Sequence, residues 1–410
     1  MKKTEKKKVL LVTQYFYPEG FKSNDIAFEL VKKGYSVSVL TGIPNYPKGK
    51  FFSGYGFFKK RVQTINGVKV YRALLFPRGK GSGVFLALNY LSWAFFASFW
   101  ALFLALFNRY DLVIVHEPSP ITQGIPAVIV KKIRKIPLYF WVLDLWPESL
   151  VSAGGINNTS IIRFFTKLTK FIYKQSDKIL ISSKGFKQSI LKKGDFENRI
   201  VYFPNWAEDV FCGINKNRDY KLPSLPQGFI VMFAGNIGEA QDFDSIMQAA
   251  LLLKDHTEIK FVLVGDGRKR EWVDQFIKDN GLENTCYTLG RHPLESMPVF
   301  FSYADAMLVA LKDELIFNLT VPAKLQAYMA ASKPILTMLN GEGSKIVREC
   351  NCGLTANAGD SKKLSENIKS LCDLGDKVLK ELGNNGKKHY EKTFSKKECM
   401  SHLIQLIEKK

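Results

Sequence analysis

The sequence predicts an α/β fold of two Rossmann-like halves, each built on a doubly wound parallel sheet. Three observations predict it. The chain has 410 residues, more than one hydrophobic core usually serves. Short apolar runs of strand length alternate with helical patterns, the rhythm of βαβ units on a parallel sheet. That rhythm stops in a proline-bearing, mixed-charge stretch at 205–227 and then starts again. The boundaries follow: a first domain over 1–204, a linker over 205–227, a second domain over 228–390, and a last segment over 391–410.

In chain order, strand 9–13 runs into the loop 14–20, followed by helix 24–33 and strand 35–40. The turn PNYPKG at 44–49 is rigid, and its Tyr46 and Lys48 either shape it or face an acceptor phosphate. Strand 68–75 comes next. Segment 84–107 carries no charge and is long enough to span a bilayer. Strands precede and follow it, and a crossing would part them if both belong to one sheet. The segment therefore reads as a helix or helical hairpin dipping into the cytoplasmic leaflet. The competing reading is a helix wholly buried in the first domain. Tyr90, Trp93 and Trp100 suit a membrane interface. Lys59, Lys60, Arg61, Arg78 and Lys80 would meet anionic head groups, at ~1 kcal/mol each. Strand 112–116, helix 121–134, strands 137–142 and 179–182, helix 184–193 and strand 201–204 complete the first half.

The second half has strand 229–234 with the turn 235–238, helix 243–254, and strand 259–264 ending in GDG. Helix 271–280, strand 286–289, helix 295–302 and the apolar strand 304–311 follow. Stretch 317–334, FNLTVPAKLQAYMAASKP, turns through Thr320-Val321-Pro322 into a helix. Proline fits the first helical turn, where no intrahelical partner uses its N–H. Thr320 sits where an N-cap hydroxyl would be. A basic helix over 396–409 ends the chain.

The formal net charge is +21, which favours an anionic partner. No DNA- or RNA-binding motif accompanies it, so a membrane surface or phosphorylated substrates fit better than nucleic acid. Part of the charge is solvated helix surface. The six cysteines show neither CxxC nor zinc-like spacing and read as reduced thiols of a cytoplasmic protein. The apolar run after the N-terminal lysines is only VLLV, a first strand rather than a signal peptide.

Candidate site residues lie at strand ends, where open α/β sheets bind ligands. The helix entered at Thr320 and Val321 attracts an anion at its N-terminus, and Lys324 adds a full charge. The bland alternative is an ordinary helix of the fold. Gly235 and Gly238 around Asn236, and Gly265 and Gly267, allow close backbone approach to phosphate oxygens. The turn 235–241 has no cation, which moves charge compensation to Lys324 and Arg268. Glu342 and Ser344 open a helix where a hydroxyl can donate to phosphate. His116 ends a strand and can hydrogen-bond or polarise a ligand hydroxyl, or is simply satisfied by backbone. Asp144 and Glu148, in LDLWPES, can bind or deprotonate an acceptor hydroxyl, or act as a helix cap.

The segments VLLVTQYFYPEG, LTGIPNYPKGK, FWVLDLWPESL, MFAGNIGEAQ with FVLVGDG, and stretch 317–334 occur in this order. Together they resemble GT-B glycosyltransferases of family 4, most of all the WbuB-like branch that builds bacterial surface polysaccharides. The resemblance spans nearly the whole chain. It implies two domains facing a cleft and a C-terminal helix crossing back to the first. It implies a retaining, metal-free transfer, without cofactor, of an N-acetylated deoxyhexosamine from a UDP-sugar to a polyprenyl-diphosphate-linked saccharide. It implies that His116 contacts the transferred sugar, that Arg291 meets the base, and that loop 14–20, with Gln14, Tyr15 and Gly20, meets the acceptor. The family's usual pair of glutamates eight residues apart is missing, with Leu319 and Ala327 in their places. Gln326 or Glu342 would have to replace the second, which normally holds the ribose. Three other readings stay open: a UDP-sugar epimerase, a non-catalytic membrane-bound nucleotide-sugar binder, and a nucleic-acid-binding protein.

Overall fold

Alternation of buried apolar strands with amphipathic helices builds two units, Met1–Phe203 with Met400–Lys410, and Pro204–Cys399. The computed structural model describes residues 6–79, 83–152, 155–212, 220–221 and 223–409. Lys80 and most of 213–222 lie outside them.

The first unit contains β1 (Lys8–Val12), α1 (Lys22–Lys32), β2 (Ser36–Gly42), β3 (Val62–Ile65), β4 (Val68–Ala73), α2 (Gly83–Phe107), β5 (Leu112–Glu117), α3 (Gly124–Arg134), β6 (Leu138–Val142), α4 (Glu148–Ser152), α5 (Thr159–Gln175), β7 (Lys178–Ile181), α6 (Phe186–Leu191) and β8 (Ile200–Tyr202). The sheet order is β3-β4-β2-β1-β5-β6-β7-β8. All pairings are parallel except β3 with β4. That hairpin turns at Asn66 and Gly67, both with positive φ, as a two-residue Asn-Gly turn requires. The reading above omits β3 although the Asn-Gly signal is in the sequence. The crossover through α1 runs one way along the sheet, and those through α2, α3 and α5 run the other. Right-handed crossovers therefore place these helices on opposite faces.

Helix α2 is one continuous helix, not a hairpin. Strands β4 and β5, before and after it, do belong to one sheet. One side of α2 is buried through Trp93, Ala97, Ala101, Leu104 and Ala105, and its alanines let α3 and the sheet approach. The other side exposes Phe85, Leu88, Leu91, Phe95, Phe99, Phe103 and Phe107. The helix is thus neither wholly buried nor detached. Trp93 is core rather than interface, and Trp100 packs on Tyr71. The one polar residue buried in α2, Asn89, accepts from Gln14 Nε2 at 2.7 Å and tethers α2 to the loop after β1.

The second unit contains β9 (Phe229–Ala234), α7 (Phe243–Leu252), β10 (Ile259–Val264), α8 (Arg270–Asp279), β11 (Cys286–Gly290), α9 (Met297–Tyr303), β12 (Ala306–Ala310), α10 (Leu315–Leu319), α11 (Ala323–Ala330), β13 (Ile335–Met338), α12 (Glu342–Glu349), β14 (Gly353–Ala356), α13 (Ser361–Cys372) and α14 (Asp376–His389). Its strands run β11-β10-β9-β12-β13-β14, all parallel. The winding direction reverses between β9 and β12, and a crevice opens at the carboxyl ends of strands there. The chain ends in α15 (Lys396–Glu408), which packs on the first unit: the Tyr139 hydroxyl donates to Leu406 O and that of Tyr35 to Glu408. Cys286, Cys350, Cys352, Cys372 and Cys399 are free thiols.

Candidate functional site

In the second unit a cavity of about 550 Å³ opens beside the ends of β9 and β10 and the start of α11. Of the candidate residues, Gly235, Asn236, Gly265, Arg291 and Lys324 line it. Tyr328 sets the geometry. Its buried hydroxyl accepts from Ala234 N at 3.0 Å and donates to Ala234 O at 3.1 Å, clamping α11 onto the end of β9. Lys324 lies one turn earlier on the same helix face. Its Nζ sits 3.8 Å from the centre of the Phe233 ring. Burial there lowers its pKa to about 7.

The glycines serve a tighter purpose than open approach to a ligand. A Cβ on Gly235 would stand 2.5 Å from Lys324 Cε, so Gly235 makes room for the lysine stem. A Cβ on Gly265 would stand 1.8 Å from Gly235 O, and one on Gly267 2.3 Å from Ile237 O. Gly238 does not line the cavity, and its neighbour there is Asn236 Nδ2. Glycine thus lets the two strand-end loops nest.

Several expected ligands are committed elsewhere. Thr320 is no N-cap, since Pro322 takes that position and the Thr320 hydroxyl donates to Ile316 O, closing the short helix α10. Neither Thr320 nor Val321 lines the cavity. Ser344 is buried, and its hydroxyl donates to Leu339 O and pairs with Thr337. Gln326 donates to Asn205 O and is buried, which removes it as a substitute for the missing glutamate. Glu342 and Arg268 stay outside the lining as well, Arg268 being exposed. Lys269 is paired with Asp244, and Arg270 with Asp274.

Sequence reading missed the cavity's other wall. Glu208 and Phe211, assigned to a linker, line it together with His292, Met297 and Phe301. The Phe211 and Phe301 rings stack at 5.4 Å. His292 Nε2 lies 3.0 Å from Leu289 O, which can only accept, so its proton is on Nε2. Its Nδ1 then accepts from Tyr220 at 2.8 Å. The signal available was the apolar spacing in NWAEDVF, whose Trp206 and Ala207 are buried.

In the first unit, His116 ends β5 and is buried against Trp141, with Thr13 Oγ1 3.2 Å from its Nδ1. Burial, helped by the nearby Lys22, pushes its pKa down to about 3, so the ring is neutral. Phe21 stands edge-on to it and stacks on Tyr15. Tyr15 is buried, and Arg78 donates to its hydroxyl at 3.2 Å. The Arg78 guanidinium also covers the half-exposed Tyr46 ring at 5.1 Å. Glu19, buried, accepts from the backbone N–H of Asn45 and Tyr46 and pins that turn. Burial raises its pKa to about 7. Gln14 is buried: its backbone N–H donates to Gln123 Oε1 and its side-chain Nε2 to Asn89, which ties the loop after β1 into the core, while its Oε1 has no partner among the described residues. Gly20 and Lys48 are exposed.

Asp144 accepts from Ser149, and burial raises its pKa. Glu148 is a different case. Ser189 Oγ and the buried Lys193 Nζ both donate to its Oε1 at 2.5 Å, a commitment poorly suited to a mobile base. Beside Asp144 lies a residue the sequence reading left unassigned, Glu117. It is fully buried, and among the described residues neither oxygen has a well-formed hydrogen bond, the Asp144 backbone N–H being the one donor that favours its charged form. Burial, then the Asp144 charge, raises its pKa well above the ordinary value, so it is held protonated. The unfolded chain ionises it above about 4.5 while the folded one does not. Its contribution to stability is full below that pH and is lost as pH rises. Glu117→Gln is therefore expected to match wild-type stability at pH 4.5 and exceed it at pH 8, measured as melting temperature against pH.

Residues 216–389 match the family "Glycosyl transferases group 1", and residues 23–206 the "Glycosyl transferase 4-like domain". Among curated relatives, WbjE of Pseudomonas aeruginosa, named as a glycosyltransferase, is 31% identical over 246 residues. That match covers 57% of this chain and 60% of WbjE, short of two thirds of the relative's length. WcaI of Escherichia coli K12, named for colanic acid biosynthesis and glycosyl transfer, is 22% identical over 342 residues, 79% of this chain and 81% of WcaI. Among solved structures, Anabaena HepE with UDP and glucose superposes with a TM-score of 0.66 at 14% identity, over 98% of this chain and 99% of HepE. One glycosyltransferase domain is matched in each half, and the two parallel-sheet units give the chain the GT-B fold that it shares with HepE.

Proposed function

We propose that the chain is a retaining, metal-independent transferase of the WbuB-like branch. It moves an N-acetylated deoxyhexosamine from a UDP-sugar to a polyprenyl-diphosphate-linked saccharide in surface-polysaccharide synthesis, on the cytoplasmic face of a bacterial membrane. The observation that carries the reading is Lys324, held by Tyr328 and the gap at Gly235 beside the strand-end loops. A departing diphosphate gains negative charge as the glycosidic bond breaks. An ammonium already in place, with the N-terminal dipole of α11, stabilises that charge without reorganising at the moment of reaction. The stacked Phe211 and Phe301 and the oriented His292 suit the nucleoside end. We assign the acceptor to the first unit. Neutral His116 can hydrogen-bond a sugar hydroxyl there, and Arg78 over Tyr46 suits its diphosphate. The exposed face of α2 supports docking on a membrane.

The test is UDP release from a panel of UDP-sugars, with and without a polyprenyl-diphosphate-linked GlcNAc acceptor in detergent. Acceptor-dependent release that persists in excess EDTA is the expected result. No release from protein that binds UDP would favour a second reading, a nucleotide-sugar binder without turnover. The missing carboxylates at 319 and 327, together with the commitment of Gln326, speak for that second reading.

A further inference from the structure

Helix α5 fell between the motifs of the sequence, and its surface has a pattern that the fold does not use. Asn158 caps it by accepting from Ser160 N and Ile161 N. Thr169, Ile172 and Tyr173 bury one side, with Phe165 packed on Trp146. The remaining surface carries two stripes at helical spacing. Ile161, Phe164 and Phe171 are exposed by 40%, 59% and 41%, with Leu168 partly exposed between them. Beside them Arg163, Lys167, Lys170 and Lys174 form a row of exposed cations. Among the described residues, the aromatic stripe stays exposed to solvent at Ile161, Phe164 and Phe171. One further cation, Lys132 of α3, stands 5.3 Å from the Phe171 ring.

We propose that α5 is a second membrane-docking helix, lying on an anionic leaflet with its aromatic stripe in the head-group region and its cations on acidic lipid phosphates. The proposal rests on the reading of the chain as a membrane-surface enzyme and adds a recognition element for lipid charge. Two observations point to this occupant. Aromatic and basic stripes side by side are the surface that an anionic interface rewards, whereas a purely apolar partner would not call for the cations. The stripe also lies in the same helical layer as α2: α3 packs against both α2 and α5, and α2 exposes phenylalanines of its own. Helix α2 itself has no charge, so selection of an anionic bilayer has to come from cations outside it. Helix α5 supplies that selection.

The experiment is vesicle co-sedimentation of the full chain on phosphatidylcholine alone and on phosphatidylcholine with phosphatidylglycerol, with UDP binding as the folding control. Changing Arg163, Lys167, Lys170 and Lys174 together to Gln is expected to lower partitioning onto the anionic vesicles by up to about a thousandfold at low salt. Binding to neutral vesicles and to UDP should not change. Phe164→Ser with Phe171→Ser should weaken binding to both vesicles. Wild-type partitioning of both α5 variants, while Phe95→Ser with Phe99→Ser in α2 loses it, would overturn the proposal and leave the membrane reading intact. Failure of the unaltered chain to bind either vesicle would overturn both. A concentration-dependent dimer that the α5 changes abolish, with vesicle binding kept, would assign the face to a second copy instead.

Discussion

Lys324→Ala is expected to cut turnover of the UDP-sugar by tenfold or more with no loss of thermal stability. A charge-assisted hydrogen bond to the leaving diphosphate contributes roughly 1.5–3 kcal/mol, which is ten- to more than a hundredfold in rate if it strengthens in the transition state. Stability should not fall, because the folded chain holds this ammonium at a disadvantage. Burial lowers its pKa from 10.5 to about 7. Between those values the unfolded chain binds more protons than the folded one. The lysine therefore costs stability at low pH, and that cost fades as pH rises from about 7 to 10.5. Ligand binding has the opposite sense. A diphosphate favours the charged lysine, so UDP affinity should fall as pH rises above about 7, by up to about tenfold per unit. Calorimetric titration at pH 6.5, 7.5 and 8.5 checks this, and Lys324→Ala should flatten the slope. Wild-type rates in the variant would place the diphosphate elsewhere.

Gly265→Ala is expected to abolish UDP binding in the accessible range and to lower the melting temperature by several degrees. Gly265 has φ +146°, a conformation costing a side chain roughly 1–3 kcal/mol. Its Cβ would also stand 1.8 Å from Gly235 O, and backbone cannot yield as a flexible side chain can. The loops after β9 and β10 would be forced apart, and the space holding the Lys324 stem would deform with them. Gly359→Ala is the control. Gly359 also has positive φ, +79°, but nothing lies within 4 Å of its Cβ position. It should show the strain cost alone and keep full UDP affinity. Equal losses in the two variants would mean that the close loop packing at Gly265 does not matter.

The parts of the site that were readable from sequence are those with a local cause. Lys324 stands in the first turn of a helix that follows a proline, and Gly235 and Gly265 follow apolar strands, so period and punctuation were enough to place them. The residues misplaced were polar ones whose partners come from elsewhere in the chain. Ser344 looked available until Thr337 and Leu339 were beside it. Gln326 looked like a ribose ligand until Asn205, 121 residues away, took its amide. Thr320 matched a helix cap by spacing, but α10 ended just before it and took the hydroxyl.

By itself, the sequence determined the two parallel-sheet units, the order of their strands along the chain, and the strand-end loops that line the cavity. Those features follow from hydrophobic period and chain breakers, which act over a few residues. Only the tertiary structure decided that α2 buries one apolar face and exposes the other, that Glu117 is buried beside Asp144, that Glu208 and Phe211 form a cavity wall, and that α5 presents cations beside aromatics. Burial and hydrogen-bond partnership depend on which segments meet in space. A side chain's local pattern states what it can do, and its neighbours decide how much of that capacity is left over for a ligand.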